Sequence, residues 1–143
     1  MKRILVTLDF KGKDFKSLEV AKEMGRAFNA EIILLNVDPI EVDKESLATA
    51  PVMAHRLDVI NDMINENVKN VEGKLGGDIF KFRHILKSGA PHEQILKVAK
   101  EEDVDVIIMG SNKHSGAYRF LIGSVADQVV KKTTIPVLLV PYE

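Results

Sequence analysis

An α/β fold with a parallel sheet covered by helices on both faces is the architecture this sequence predicts, and two observations predict it. Apolar runs without alternation recur along the chain, and segments of helical period separate them. A strand reads as an unbroken apolar run when helices cover both sides of its sheet. Strand–helix alternation then implies parallel strands joined by right-handed crossovers. The 143 residues, 45% hydrophobic and 29% charged, suit one ordinary globular domain over residues 1–143.

The elements follow in order. Ile4-Leu5-Val6-Thr7-Leu8 is the first strand. Leu18, Ala21, Gly25 and Phe28 recur every three or four residues, so a helix follows, with Asp14 as its N-cap. Ile32-Ile33-Leu34-Leu35 is the second strand. The polar segment from Asp38 to Pro51, which contains Pro39, reads as a loop. Met53, Leu57, Ile60, Ile64, Val68, Val71 and Leu75 form the longest helical stripe, stopped by Gly76-Gly77. Lys81 to Leu86 mixes charge with apolar residues, as an exposed edge strand would. Ile95, Val98 and Ala99 mark a helix opened by Pro91. Val106-Ile107-Ile108-Met109 is another buried strand, and Val125, Val129 and Val130 mark a short last helix. Val137-Leu138-Leu139-Val140 is the fifth strand, bounded by Pro136 and Pro141 because proline has no backbone donor.

Composition narrows function. A net charge of -1 argues against a general nucleic-acid or membrane-surface binder. No cysteine means no disulfide framework and no thiolate chemistry, which fits a reducing compartment. No apolar run approaches the ~20 residues of a membrane span. The opening "MKRILVTLDF" breaks at Asp9 and reads as a strand, not a signal peptide.

In open α/β sheets, ligands bind outside the carboxyl ends of the strands, where the winding reverses. The loops there are Asp9 to Asp14, Asn36 to Pro39, and Gly110 to Ser124. Gly110 lets another molecule approach the backbone, because it has no Cβ. Gly123 and Ser124 start the last helix, whose free amides and positive dipole end can cradle an anion. The ordinary alternative is Gly as a turn former and Ser124 as an N-cap. Lys11, Lys13, Lys113, His114 and Arg119 fall on two of these loops and would build a local positive field. Asp9 ends a buried strand and suits a ribose hydroxyl or a magnesium ion; as a turn acceptor it would be structural.

Other chemistry finds no support. Neither a Gly-x-Gly-x-x-Gly nor a Gly-x4-Gly-Lys-Ser/Thr pattern occurs. His55, His84, His92 and His114 lack metal-ligand spacing, with His55 solvated and His84 and His92 structural. No serine elbow or acid–base pair stands out. Met24, Met53 and Met63 fall at helical spacing and read as core.

These residues resemble the universal stress protein family. Its nucleotide-binding members carry Gly-x2-Gly-x9-Gly-Ser/Thr after the fourth strand, and here Gly110, Lys113 and Gly123-Ser124 occupy those places. "VDVIIMGS", "GSVADQVVKKTTIPVLLVP", "RILVTLDF", "AEIILLNV" and "SGAPHEQILKVAKEEDVD" look like its other segments. The resemblance implies an open five-stranded sheet of order 3-2-1-4-5, adenine nucleotide alpha hydrolase-like. It implies ATP at the switch between strands one and four, with magnesium bridging the phosphates and Asp9. Leu8 and Asp9 would lie near the ribose and metal, and the Val37 backbone near the adenine edge. Gly110, Lys113, Gly123, Ser124 and Val125 would form the phosphate loop.

Lys113 departs from the pattern. Its Cβ takes up room where the family has glycine, and a left-handed conformation there would cost roughly 1–2 kcal/mol. Its ammonium offers a point charge to a phosphate in return. The leading expectation is a cytoplasmic, ATP-binding stress-response protein without dedicated catalysis. The alternatives are a dimeric interaction protein that has lost nucleotide and an unidentified protein as its partner, or a slow nucleotide hydrolase. A bare apolar edge strand invites pairing. The family pairs through its last strand, so a homodimer through "IPVLLVP" is expected. Neither nucleic acid nor membrane is an expected partner.

Overall fold

The computed structural model describes residues 1–8, 15–39, 82–111 and 123–141, with helical positions 58, 62, 65, 66 and 69 between them. Five strands form one sheet: β1 (Arg3–Thr7), β2 (Glu31–Asp38), β3 (Phe82–Ser88), β4 (Val106–Ser111) and β5 (Val137–Pro141). Their order is β3-β2-β1-β4-β5, all parallel. Helices α1 (Phe15–Phe28), α2 (Pro91–Glu101) and α3 (Ser124–Lys132) connect them. The predicted fold class and strand order are both present.

Both sheet faces are buried, which is why the strands show no alternation. Ile4, Val6, Ile32, Leu34, Val106 and Ile108 pack on one face with Leu18 and Ala21 of α1. Leu5, Ile33, Leu35, Ile107 and Met109 pack on the other with α2 and α3. Each such side chain contributes about 1.5–3 kcal/mol on burial. Gly25 has a packing reason, since a Cβ there would stand 3.0 Å from Ile32 Cδ1. Removing that Cβ lets α1 approach β2 closely.

Four expectations need correction. Phe28 belongs to the predicted stripe yet is 53% exposed. It closes α1 just before Asn29, whose φ of 52° turns the chain toward β2. Lys22, which the apolar pattern passes over, is buried. In α3 the buried residues are Ala126 and Val129, while Val130 is 42% exposed. One residue along a helix turns a side chain by about 100°, away from the sheet. Finally, three strands run past their expected ends: β2 through Asp38, which pairs with Ser88, and β4 through Ser111 and β5 through Pro141, which pair with each other.

The expected long helix is helical at each described position, and Asp58, Asp62, Asn65, Glu66 and Lys69 are exposed. These polar residues interleave with the predicted stripe, as the solvent face of an amphipathic helix would. The stripe itself, Asp14, Met53 and Met63 lie outside the described residues. Met24 packs against the core as expected.

Candidate functional site

The strand order reverses direction between β1 and β4, and there the sheet opens. The β1–β4 ladder pairs Ile4 with Val106, Leu5 with Ile107 and Val6 with Ile108, then stops. Both neighbouring ladders continue toward the carboxyl edge. Thr7 pairs with Leu35 on β2, and Gly110 and Ser111 pair with Val140 and Pro141 on β5. The ends of β1 and β4 therefore part, which leaves a crevice at the switch point of the sheet.

The predicted site residues within the described chain converge on this edge. Leu8 follows β1, Val37 is near the end of β2, and Gly110 is near the end of β4. Gly123, Ser124 and Val125 start α3, which leads from the carboxyl edge back to the start of β5. The Val37 and Val125 side chains pack inward on the core beside α2 and α3. Asp9, Lys11, Lys13, Lys113, His114 and Arg119 lie outside the described residues, as does His55.

The start of α3 differs from the ordinary capped helix. Gly123 is the N-cap, with φ 87° and ψ 153°, and among the described residues no side chain caps the first turn. Ser124 is thus the first helical residue and is exposed, so the N-cap reading of its hydroxyl does not hold. The Gly123 backbone lies in a region essentially reserved for glycine. Asp127 N donates to Gly123 O at 3.0 Å and closes the first turn. The amides before it keep the positive dipole end available to an anion. Asp127 would oppose that anion, but its carboxylate pairs with Lys131 Nζ at 2.8 Å.

The sequence reading placed Asn36 at the start of a loop and gave it no role, whereas the structure keeps it inside β2. It is fully buried on β2, and its Nδ2 donates to the Leu8 carbonyl at 2.9 Å. Its Oδ1 lies 3.1 Å from His84 Nε2 on β3. Burial holds the His84 pKa below the ordinary imidazole value. The available signal was a polar residue interrupting an apolar strand just before its carboxyl end.

Among the described residues, no cluster of three His, Asp or Glu side chains could hold a metal ion. None of the described helices is long and apolar enough to cross a membrane.

Comparison with known proteins gives a consistent picture. The model of the universal stress protein family matches residues 1–141. Universal stress protein MJ0577 of Methanocaldococcus jannaschii is 33% identical, over 97% of this chain and 94% of its own length. Universal stress protein YxiE of Bacillus subtilis is 31% identical, over 96% of this chain and 97% of its own. The solved structure of MJ0577 superposes with a TM-score of 0.74 at 31% identity, covering 99% of this chain and 96% of that one. With the family model matched over residues 1–141 and a relative 33% identical along nearly its whole length, the chain belongs to the universal stress protein family.

Proposed function

We propose that this protein binds ATP in the crevice between β1 and β4 and acts as a regulatory, stress-response protein without dedicated catalysis. The observation that carries this reading is the parting of β1 and β4 after Val6 and Ile108, faced by the uncapped start of α3. The described residues fit an anionic ligand: a glycine-only backbone at Gly123, orphan amides after it, and a strand end without a Cβ at Gly110. In this reading Gly110, Lys113, Gly123, Ser124 and Val125 hold the phosphates. The Val37 backbone meets the adenine, and Leu8 and Asp9 lie at the ribose, with Asp9 also on magnesium. The nucleotide supplies a charged, exchangeable signal; the chain binds and orients it. We place the protein in the cytoplasm, as a homodimer through β5. That strand is an edge of the sheet and exposes Leu138 by 37%.

Lys113 supports a second reading, in which the crevice is closed by a side chain and the protein works through a protein partner. A solved universal stress protein in complex with cAMP shares the fold, at TM-score 0.68 and 19% identity. That likeness concerns the fold, but it makes cAMP a sensible second titrant. The test is calorimetric titration of ATP with magnesium, and of cAMP, into wild type and Lys113→Gly. Wild type is expected to bind ATP with a dissociation constant near micromolar, about -8 kcal/mol. Binding by Lys113→Gly alone would overturn the first reading in favour of the second.

A further inference from the structure

Asn36 and His84 lie on the sheet face that carries Leu34 and α1, and neither belongs to the phosphate loop. We propose that they form a positioning relay: His84, donating from Nε2–H, orients Asn36, and Asn36 holds the end of β1 at the mouth of the crevice. The inference rests on the nucleotide reading above and names what keeps that site in shape.

The chemistry of the chain of contacts determines each orientation. A backbone carbonyl only accepts hydrogen bonds. The contact to Leu8 O at 2.9 Å must therefore come from the Asn36 amide nitrogen. That turns Asn36 Oδ1, also an acceptor only, toward His84 Nε2 at 3.1 Å. His84 Nε2 must then carry a hydrogen. The relay crosses three adjacent strands, from β3 through β2 to β1.

Its position gives it a task. β1 has lost its β4 partner by Thr7, because that ladder ends at Val6 and Ile108. On the other side, Leu8 N still donates to Leu35 O at 3.1 Å. The Asn36 side chain then takes up the Leu8 carbonyl, so among the described residues the strand end beside the crevice is tied to β2 alone. A rigid edge is what a preformed site needs. Asn36 is fully buried, so an unsatisfied amide there would be costly, and its orientation is held by His84.

The test compares His84→Phe, which cannot donate, with His84→Gln, whose side-chain amide can. Position 84 is half-buried on an edge strand, so both variants should fold, as a urea titration would verify. Three readouts apply: ATP–magnesium affinity by calorimetry, hydrogen exchange of the Leu8 amide, and the nitrogen-15 shifts of the His84 ring in wild type. Expected are an affinity about tenfold weaker in His84→Phe, the size of one hydrogen bond, and recovery in His84→Gln. Leu8 exchange should be faster in His84→Phe only, and Nε2 should be the protonated ring nitrogen. The relay is overturned if His84→Phe matches wild type in affinity and exchange, if His84→Gln falls as far as His84→Phe, or if Nε2 is bare. Should wild type bind no ATP, the nucleotide reading fails by itself. Leu8 exchange and the tautomer then still decide the relay.

Discussion

The two edges of the sheet are built in opposite ways. At the amino edge, four strands are laced together by charge. Arg83 of β3 bonds Glu31 of β2 at 2.7 Å and Glu102, just after α2, at 2.6 Å. Glu31 N donates to Lys2 O at 2.9 Å. Asp105, just ahead of β4, accepts the backbone N–H groups of Lys2 at 2.6 Å and Arg3 at 2.9 Å. The Arg3 guanidinium reaches Glu102 O at 2.9 Å. At the carboxyl edge, β1 and β4 separate, and among the described residues the start of α3 has no side-chain cap. The difference teaches a division of labour. One edge satisfies its polar groups internally and closes; at the other the strand ends part beside a helix start, where the proposal puts an anion.

Substitutions can break this contrast from either side. The largest effect is expected from Gly123→Ala. A Cβ in the backbone conformation of Gly123, φ 87° and ψ 153°, is strained by of order 1–3 kcal/mol. Relief would shift the first turn of α3 and misplace its amides. ATP affinity should drop more than tenfold, and the urea midpoint should fall; unchanged calorimetry would show that these amides do not meet the ligand.

Asp105→Ala attacks the opposite edge and should do the reverse. It removes two charge-assisted hydrogen bonds at an exposed site, so a loss of about 1 kcal/mol is reasonable, with ATP affinity intact. The acid limb of stability gives the same contrast by pH. The backbone N–H groups of Lys2 and Arg3 hold the Asp105 carboxyl below its usual range, and the bond to Arg83 does so for Glu102. Such groups contribute stability above the ordinary carboxylate value, about pH 4, and lose it as pH falls through the depressed folded-state value. Urea midpoints measured down that range should decline less steeply in Asp105→Ala than in wild type.

The smallest effect belongs to Arg83→Gln. The Arg83 guanidinium is nearly half exposed, so its two ion pairs are screened by solvent. A cost of about 0.5 kcal/mol is expected, shrinking as salt rises. A loss several times larger and insensitive to salt would mean that Arg83 is a keystone of the amino edge.

The fold was legible because its signals are local. Unbroken apolar runs such as Ile32 to Leu35 arise only where both faces of a strand are covered, and β2 is covered on both. The start of α3 at Gly123-Ser124 was legible too, since a helix start is written in adjacent residues, whereas β4 runs two residues past its expected end at Met109. What escaped were matters of alignment between distant segments. Phe28 keeps the helical period yet is exposed, and Lys22 interrupts the pattern yet is buried. Period tells which residues share a face, not how far the covering layer extends.

By itself, then, the sequence determined the α/β class, the five strands and the start of α3, because periodicity and turn chemistry act within a few residues. Tertiary structure alone decided that the β1–β4 ladder stops at Val6 and Ile108, that Gly123 and not Ser124 caps α3, and that Asn36 joins His84 to Leu8. Each of these is a relation between strands or a backbone angle set by long-range packing. Asn36 and His84 are 48 residues apart, and only the parallel register of β2 and β3 brings them into contact.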